Sequence, residues 1–343
     1  MSKIKIGIVG CGKISEKHLN SLVQLKDHFE ILGVCDNHPE TLHKTALSHQ
    51  IDGFNDLETM LTQKPELDII TLCSPSGLHA EQTIQIAHMK KHIITEKPMA
   101  TRWIDGIKMI KACDHAKVKL FVVKQNRYQP ALQLLKKALE ANRFGKIYLI
   151  NLNVFWTRPQ SYYDQAKWRG TWEFDGGAFM NQASHYVDLL YWLFGPIQSI
   201  HAMMATLSMN MEAEDTGVLN IRWRSGTLGS MNVTMLTYPR NLEASLTVLG
   251  EKGSVKIGGL SANQINHWEF SEPHVQDEEI KQNISQQTFS EGHKIYYENV
   301  AKTLRGEASA DIDGRAGLRS LEILTAAYLS ARDNKMINLP LKH

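Results

Sequence analysis

The sequence predicts an α/β protein in two parts: a doubly wound parallel sheet, then an α/β domain with a large open, mostly antiparallel sheet. Three observations carry that reading. From residue 3 to about 124, apolar runs of strand length alternate with helical stretches, the signature of successive β-α units. The first run, Lys3 to Val9, breaks at a glycine turn, Gly10-Cys11-Gly12. After Lys146 the apolar period changes to two, and glycines punctuate the runs as in hairpins. A chain of 343 residues has the length of about two domains, and 43% hydrophobic residues suffice for two cores. The boundary is expected between residues 1–124 and 125–343.

Ile4, Ile6 and Ile8 alternate in the first strand. Gly10 lets the chain turn, and Gly12 removes the side chain that would keep a pyrophosphate from the N–H groups at the next helix start. Ser15 stands where the usual fingerprint has a third glycine, and its small side chain still fits. The second strand, residues 30–36, ends on Asp36, placed to accept hydrogen bonds from the adenosine ribose hydroxyls. That carboxylate repels a 2′-phosphate and no arginine follows within residues 37–40, so the pairing favours NAD over NADP.

Pro39 opens a helix to Gln50, and Asp56 caps a short one to Leu61. A strand over 67–73 ends in the turn Ser74-Pro75-Ser76-Gly77, which releases a helix over 78–89. Strand 92–95 closes on Glu96-Lys97-Pro98, and helix 102–116 with strand 120–123 completes the parallel sheet. Ligands on such sheets collect at the carboxyl ends of strands, where Gly10, Asp36, Ser74, Lys97 and residues 124–126 all fall.

The second part reads as a helix over 131–141, a strand over 146–155, a loop rich in Trp, Tyr and Arg over 157–173, and a helix over 176–193. Strands follow at about 197–208, 215–224, 227–237, 242–250 and 253–258, forming a sheet open enough for one face to mediate oligomerisation. Residues 272–289 are polar and expected to be mobile, and helices over 291–305 and 314–333 close the chain.

Composition excludes several function classes. Lys plus Arg, 38, nearly balances Asp plus Glu, 36, so no global field draws nucleic acid or an anionic membrane. No apolar run approaches a membrane span, and the first strand begins almost at Met1, leaving no room for a signal peptide. Cys11, Cys35, Cys73 and Cys113 are scattered singly and read as core thiols of a reducing compartment. A cytoplasmic protein is expected.

Three groups of residues carry chemistry. Lys97 stands at a strand end beside the expected nicotinamide position, where a lysine can neutralise a substrate oxygen or shuttle its proton, and Pro98 can fix its direction. A strand-end lysine in solvent has the same local signature. On helix 176–193, Asn181, His185 and Asp188 recur at i, i+4 and i+7 and so share one face of an otherwise apolar helix. Arg158, Lys167 and Arg169 crowd one loop with Tyr162, Tyr163 and Trp168, a local positive site suited to a carboxylate or diphosphate with rings to stack on.

Over nearly its whole length the chain resembles the Gfo/Idh/MocA family of NAD(P)-dependent sugar oxidoreductases. The segments that carry the resemblance are residues 10–15, 74–79, 96–98 and 176–188. It implies a Rossmann domain, a second domain with an open sheet, and a homo-oligomer, dimer or tetramer. Lys97 and His185 are then the catalytic pair; the resemblance leaves the division between them open, and because an imidazole titrates near neutrality His185 is read as taking the proton and Lys97 as polarising the oxygen. Cofactor contacts are implied at Gly10, Gly12, Lys13, Ile14, Asp36, Ser74, Pro75, His79, Glu96, Lys97 and Gln125, and no metal is implied.

Many members carry an aspartate four residues before the histidine, whereas Asn181 here cannot act as a base. That departure, with residues 124–130, 156–163 and 168–172, is similar to one subgroup, the bacterial UDP-N-acetylglucosaminuronate 3-dehydrogenases that feed lipopolysaccharide O-antigen sugars. The subgroup implies substrate contacts at Lys97, Arg127, Arg158, Tyr163, Asn181, Ser184 and His185, with Trp168 and Arg169 serving the cofactor. Three alternatives stand beside it: another sugar or cyclitol dehydrogenase of the family, an NAD-dependent glycosidase, and a non-enzymatic cofactor-binding regulator. The presence of Lys97 and His185 weighs against the last.

Overall fold

The computed structural model describes residues 2–272, 274, 277 and 291–342. The chain forms two compact units, Met1–Gln125 with Glu291–Leu321 and Asn126–Ser290 with Glu322–His343.

In the first unit six parallel strands, β1 (Ile4–Val9), β2 (Phe29–Cys35), β3 (Asp52–Phe54), β4 (Ile69–Leu72), β5 (His92–Thr95) and β6 (Leu120–Val122), lie in the order β3-β2-β1-β4-β5-β6. Ile6, Ile8, Ile69, Ile70, Ile93 and Ile94 are fully buried, as expected of strands covered by helices on both faces. The order reverses at β1, where Ile8 pairs with Val34 on one side and Thr71 on the other. A crevice opens beyond the carboxyl ends of strands at such a reversal. Gly10 turns there with φ +93°, and a Cβ on it would come within 2.7 Å of the Cys73 backbone, so both conformation and space require glycine. Asp56 caps helix Leu57–Gln63 by accepting the Thr59 N–H at 2.7 Å.

This unit also takes in a segment expected in the second domain. Helix Gly292–Leu304 buries Tyr296, Tyr297, Val300 and Ala301, and Tyr297 stands edge-on to Phe29 at 5.5 Å. The apolar stripe is legible in sequence, but the surface it covers belongs to residues almost three hundred positions away.

The second unit is built on eight strands: β7 (Ile147–Phe155), β8 (Ile197–Ala205), β9 (Thr216–Trp223), β10 (Leu228–Thr234), β11 (Glu243–Gly250), β12 (Gly253–Gly258), β13 (Gln264–Phe270) and β14 (Ile337–Asn338). Their order is β13-β12-β11-β7-β10-β9-β8-β14, antiparallel except for β7 beside β10. Alternation is clear in β9, where Leu219, Ile221 and Trp223 are buried while Val218 is exposed. The opposite face carries a polar ladder: Asn151 Nδ2 donates to Ser230 Oγ, Asn153 Nδ2 to Asn151 Oδ1 and Asn232 Nδ2 to Asn153 Oδ1, each at 2.9 Å.

The sequence pattern misses β3, β13 and β14. Two of these are two or three residues long, and β13 buries a single side chain, Trp268, so no period shows. The expected helix 176–193 begins as a π-helical turn, Ala178–Gln182, and becomes α-helical only over Ser184–Phe194. Except for residues 272, 274 and 277, the stretch 272–289 lies outside the described residues. Among the described residues no helix is long and apolar enough to cross a membrane.

Candidate active site

At the switch point of the first unit, Asp36 holds the glycine turn. Its Oδ2 accepts the Cys11 N–H at 2.7 Å and its Oδ1 the His38 N–H at 2.8 Å, while Gly10 N–H donates to Cys35 O at 2.8 Å. Nothing lies within 4 Å of a Cβ built on Gly12, so glycine there answers to no packing demand within the chain and keeps space open over the turn. No side chain caps the helix that starts at Ser15, which leaves an anion-seeking N-terminus beside that space. These features fit the pyrophosphate and ribose of a dinucleotide. Ser15 does more than replace a glycine: it is fully buried, and its Oγ donates to Gly12 O at 2.6 Å, closing the turn from below.

The next two strand ends are tied together by His79. Buried to 1% exposure, it places Nε2 2.9 Å from Ser74 O and Nδ1 3.0 Å from Pro98 O. Both oxygens only accept, so only the imidazolium makes both bonds at once. Burial opposes that cation and lowers the His79 pKa, while the two carbonyls favour it. His79 lies between the turn at 74 and the segment around Lys97 and, as a neutral ring, donates to one of the two carbonyls at a time; the Ser74 side chain bonds Gln82 at 2.5 Å. The Lys97–Pro98 bond is cis and Lys97 is half-buried.

Glu96, expected among the cofactor contacts, is turned into the core at 5% exposure. Its Oε1 lies 2.9 Å from His18 Nε2 and 3.7 Å from His293 Nε2, and its Oε2 accepts the Lys97 N–H at 3.0 Å. Sequence reasoning passed over both histidines, because each sits singly on a helix. Lys13 and Ile14 lie in the turn before helix Ser15–Gln24, and Gln125 opens the 3₁₀ turn after β6.

The second unit arranges its expected residues around the π-helical turn. Asn181 Nδ2 donates to Asp175 Oδ1 at 2.5 Å, and Asp175 Oδ2 accepts the Gly170 N–H at 2.8 Å, so a carboxylate absent from the sequence reading orients the asparagine. Ser184, fully buried, donates from Oγ to Asn181 O at 3.0 Å. His185 is half-buried on the same helix. The face shared with Asp188 divides: Asp188 is buried and takes Arg127 Nε at 2.7 Å and Nη2 at 2.8 Å. Arg127, expected among substrate contacts, thus has a framework role in this unit, fixing the helix that carries His185.

In the loop over 157–173, Arg158 lies 5.6 Å and Arg169 4.3 Å from the Tyr162 ring centroid, and Arg169 also lies 4.7 Å from that of Trp168. Cation–π contacts hold both guanidinium groups in place while leaving their edges to act as donors. Tyr163 is buried, with its phenol pushed above its ordinary pKa by desolvation. Lys167, Arg169, Asn210 and Glu212 line an open cavity of about 520 Å³ beside it.

Glu214 is a further residue that sequence reasoning missed. At 3% exposure, its Oε1 accepts the Phe179 N–H at 2.8 Å and the Tyr328 O–H at 2.9 Å. A Cβ at Gly177 would overlap the same carboxylate, so Gly177 is the residue that lets the π-helical turn close on it. Burial pushes Glu214 up to about 7.

Comparison with known proteins places these features in context. Residues 4–124 match the oxidoreductase-family NAD-binding Rossmann fold, and residues 136–339 match the oxidoreductase-family C-terminal alpha/beta domain. The WlbA dehydrogenase of Bordetella pertussis, solved in complex with NADH and UDP-GlcNAcA, is 54% identical with a TM-score of 0.94, covering 99% of this chain and 100% of its own. The Chromobacterium violaceum WlbA dehydrogenase, solved with the same two ligands, is 57% identical with a TM-score of 0.96, covering 99% and 97%. The myo-inositol 2-dehydrogenase of Thermotoga maritima is 25% identical over 260 residues, 74% of each chain.

Proposed function

The chain belongs to the Gfo/Idh/MocA oxidoreductase family, and from that membership we propose that it oxidises the 3-hydroxyl of UDP-N-acetylglucosaminuronate to the 3-keto sugar with NAD. The observation that carries this reading is whole-length identity of 54% and 57% to two dehydrogenases captured with NADH and UDP-GlcNAcA. The Asp36 and Gly12 geometry supports NAD as the cofactor, since the turn offers a ribose-binding carboxylate and room for a pyrophosphate. When bound, NAD⁺ supplies the acceptor for the hydride that leaves carbon 3.

The chain's own residues handle the proton and the substrate's charge. His185 receives the hydroxyl proton and Lys97 polarises the oxygen; Asn181, held by Asp175, orients the sugar and takes no proton. Arg158 meets the uronate carboxylate or the diphosphate, and its ring contacts support that role by presenting the guanidinium edge. Tyr163 and Ser184 shape the substrate side, while Trp168 and Arg169 serve the cofactor. We place the reaction in the cytoplasm, in O-antigen sugar synthesis, and the chain in a homotetramer. Four buried free thiols support a reducing compartment, and the polar ladder on the second unit's sheet supports association.

The test is product analysis by mass spectrometry after incubation with NAD⁺ and the UDP-sugar acid. A sugar lacking two hydrogens is expected, with UDP still attached. Release of UDP without an oxidised sugar, or no change at all, sinks the reading. Replacing His185 with Asn should lower kcat by about 10²–10⁴ with NAD binding intact. A wild-type rate and pH profile in that variant would remove His185 from the chemistry.

A further inference from the structure

Four polar side chains from four separate elements meet inside the first unit. Thr71 comes from β4, Tyr297 from helix Gly292–Leu304, His18 from helix Ser15–Gln24, and Glu96 from the end of β5. The first three are fully buried. Glu96, flanked by two histidines, is held well below the usual carboxylate range despite its burial.

An ionised carboxylate only accepts, so His18 Nε2 donates to Glu96 Oε1 across 2.9 Å. Burial keeps His18 below its ordinary pKa and hence neutral, which leaves Nδ1 as an acceptor. Tyr297 O–H therefore donates to Nδ1 at 2.8 Å, and its oxygen accepts the Thr71 hydroxyl at 3.1 Å. Every proton in the chain has one direction. At its far end Glu96 Oε2 receives the Lys97 N–H at 3.0 Å, and Thr95 Oγ1 donates to the Glu96 carbonyl at 3.2 Å. Beyond Lys97, His79 Nδ1 lies 3.0 Å from Pro98 O. Two histidines and a glutamate are also a metal-ligand set, but the His18–Glu96 pair lies at hydrogen-bond distance and Tyr297 sets which nitrogen carries the proton.

We propose that the buried relay Thr71–Tyr297–His18–Glu96 is a positioning device that fixes the peptide carrying Lys97, making Glu96 the anchor of the lysine and not a ligand of the cofactor. The proposal rests on Lys97 acting on the substrate, as in the reading above. Position at that peptide is transmitted to the lysine side chain, so its effect falls on the chemical step and not on the binding of dinucleotide.

Glu96→Gln tests it, because one amide oxygen must replace two acceptors, one for Lys97 N–H and one for His18 Nε2–H. Its kcat should fall about 10- to 100-fold, the scale of a small misplacement of a reacting group, while the Kd for NADH stays within about threefold. Tyr297→Phe removes only the hydroxyl and should lower kcat about 3- to 10-fold, yet cost less than about twofold when added to Glu96→Gln, since both act through one chain.

Wild-type kcat in Glu96→Gln, a parallel tenfold loss of NADH affinity, or fully additive losses would overturn the proposal, as would stoichiometric metal in the wild type that is lost in His18→Gln. Should Glu96→Gln fail to fold, Tyr297→Phe decides alone: lowered kcat with intact NADH affinity supports the relay, and an unchanged kcat overturns it. Lys97→Met separates the two levels. Full activity there removes the reading of the lysine, whereas an inactive Lys97→Met beside a fully active Glu96→Gln removes the relay alone.

Discussion

Among the described residues, each unit of the protein buries one glutamate almost completely, Glu96 at 5% exposure and Glu214 at 3%, and the pKa values of the two move in opposite directions. Desolvation penalises both carboxylates. Glu96 has His18 and His293 against it and stays ionised, with its oxygens accepting from His18 and from the Lys97 amide. Around Glu214 the described partners are neutral donors, the Phe179 N–H and the Tyr328 O–H, with the Asp215 carboxylate nearby, so it rises to about 7. Burial decides that a carboxyl group is costly; its partners decide whether it keeps its charge. The contrast extends outward: the first unit sets Asp36 against backbone N–H groups, and the second rests Arg158 and Arg169 on aromatic rings.

The contrast breaks most sharply at His18. His18→Leu removes the shortest hydrogen bond to the ionised, buried Glu96, and leaving a buried charged group one donor short costs about 3 kcal/mol. Thermal or urea unfolding should show that loss; a cost below about 1 kcal/mol would mean that His293 alone compensates Glu96.

Asp36 offers the next effect. Asp36→Ala removes the acceptor of the Cys11 and His38 N–H groups and, on the proposed reading, of the ribose hydroxyls, at roughly 1.5–3 kcal/mol for each charged hydrogen bond at most. Calorimetry should record weaker NAD binding and a gain in tolerance for NADP. Equal affinity of the wild type for both cofactors would end the argument from this carboxylate.

Stability against pH separates the two glutamates directly. In the first unit Glu96, His18 and His79 all have lowered pKa values, so below about 6.5 for the histidines, and below about 4.5 for Glu96, the unfolded chain takes up protons that the folded one refuses. Their contribution is present at neutral pH and lost as pH falls. Glu214 runs the other way: its raised pKa contributes stability that is complete below its unfolded value and is lost as pH rises through about 7. Glu214→Gln should therefore cost little at pH 4, below the unfolded value, and gain roughly 1–3 kcal/mol on the wild type by pH 8. A variant whose melting temperature tracks the wild type at both pH values would show that burial does not raise Glu214 above the ordinary carboxyl range.

The smallest effect is expected at Arg158. Arg158→Lys keeps the charge and loses the fork, so the uronate substrate should bind about tenfold less tightly, with a smaller loss for UDP-N-acetylglucosamine. Equal losses for the two sugars would detach Arg158 from the carboxylate.

Much of this was legible without coordinates where the signal is local. The glycine turn closing on Asp36, the Asp56 cap, strand 92–95 and helix 314–333 all lie within runs whose own residues dictate the conformation. The long strands of the second unit show the same legibility, because one covered face imposes a period of two. Edge strands escape it, as β13 does with one buried residue. The π-helical turn escapes it too, because its register depends on the Glu214 carboxylate lying against Gly177 from 37 residues away.

By itself the sequence determined the two-part α/β architecture, the dinucleotide turn and the residue types offered for chemistry, since periodicity and turn stereochemistry act over a few residues. Tertiary structure alone decided how those residues are used. It drew residues 291–321 into the first unit, turned Glu96 inward onto His18 and His293, gave Arg127 to Asp188, and set Asp175 behind Asn181. The reason is physical: a buried charge or polar group takes its state from whatever donor or acceptor the packing brings within about 3 Å, and that neighbour is seldom close in sequence.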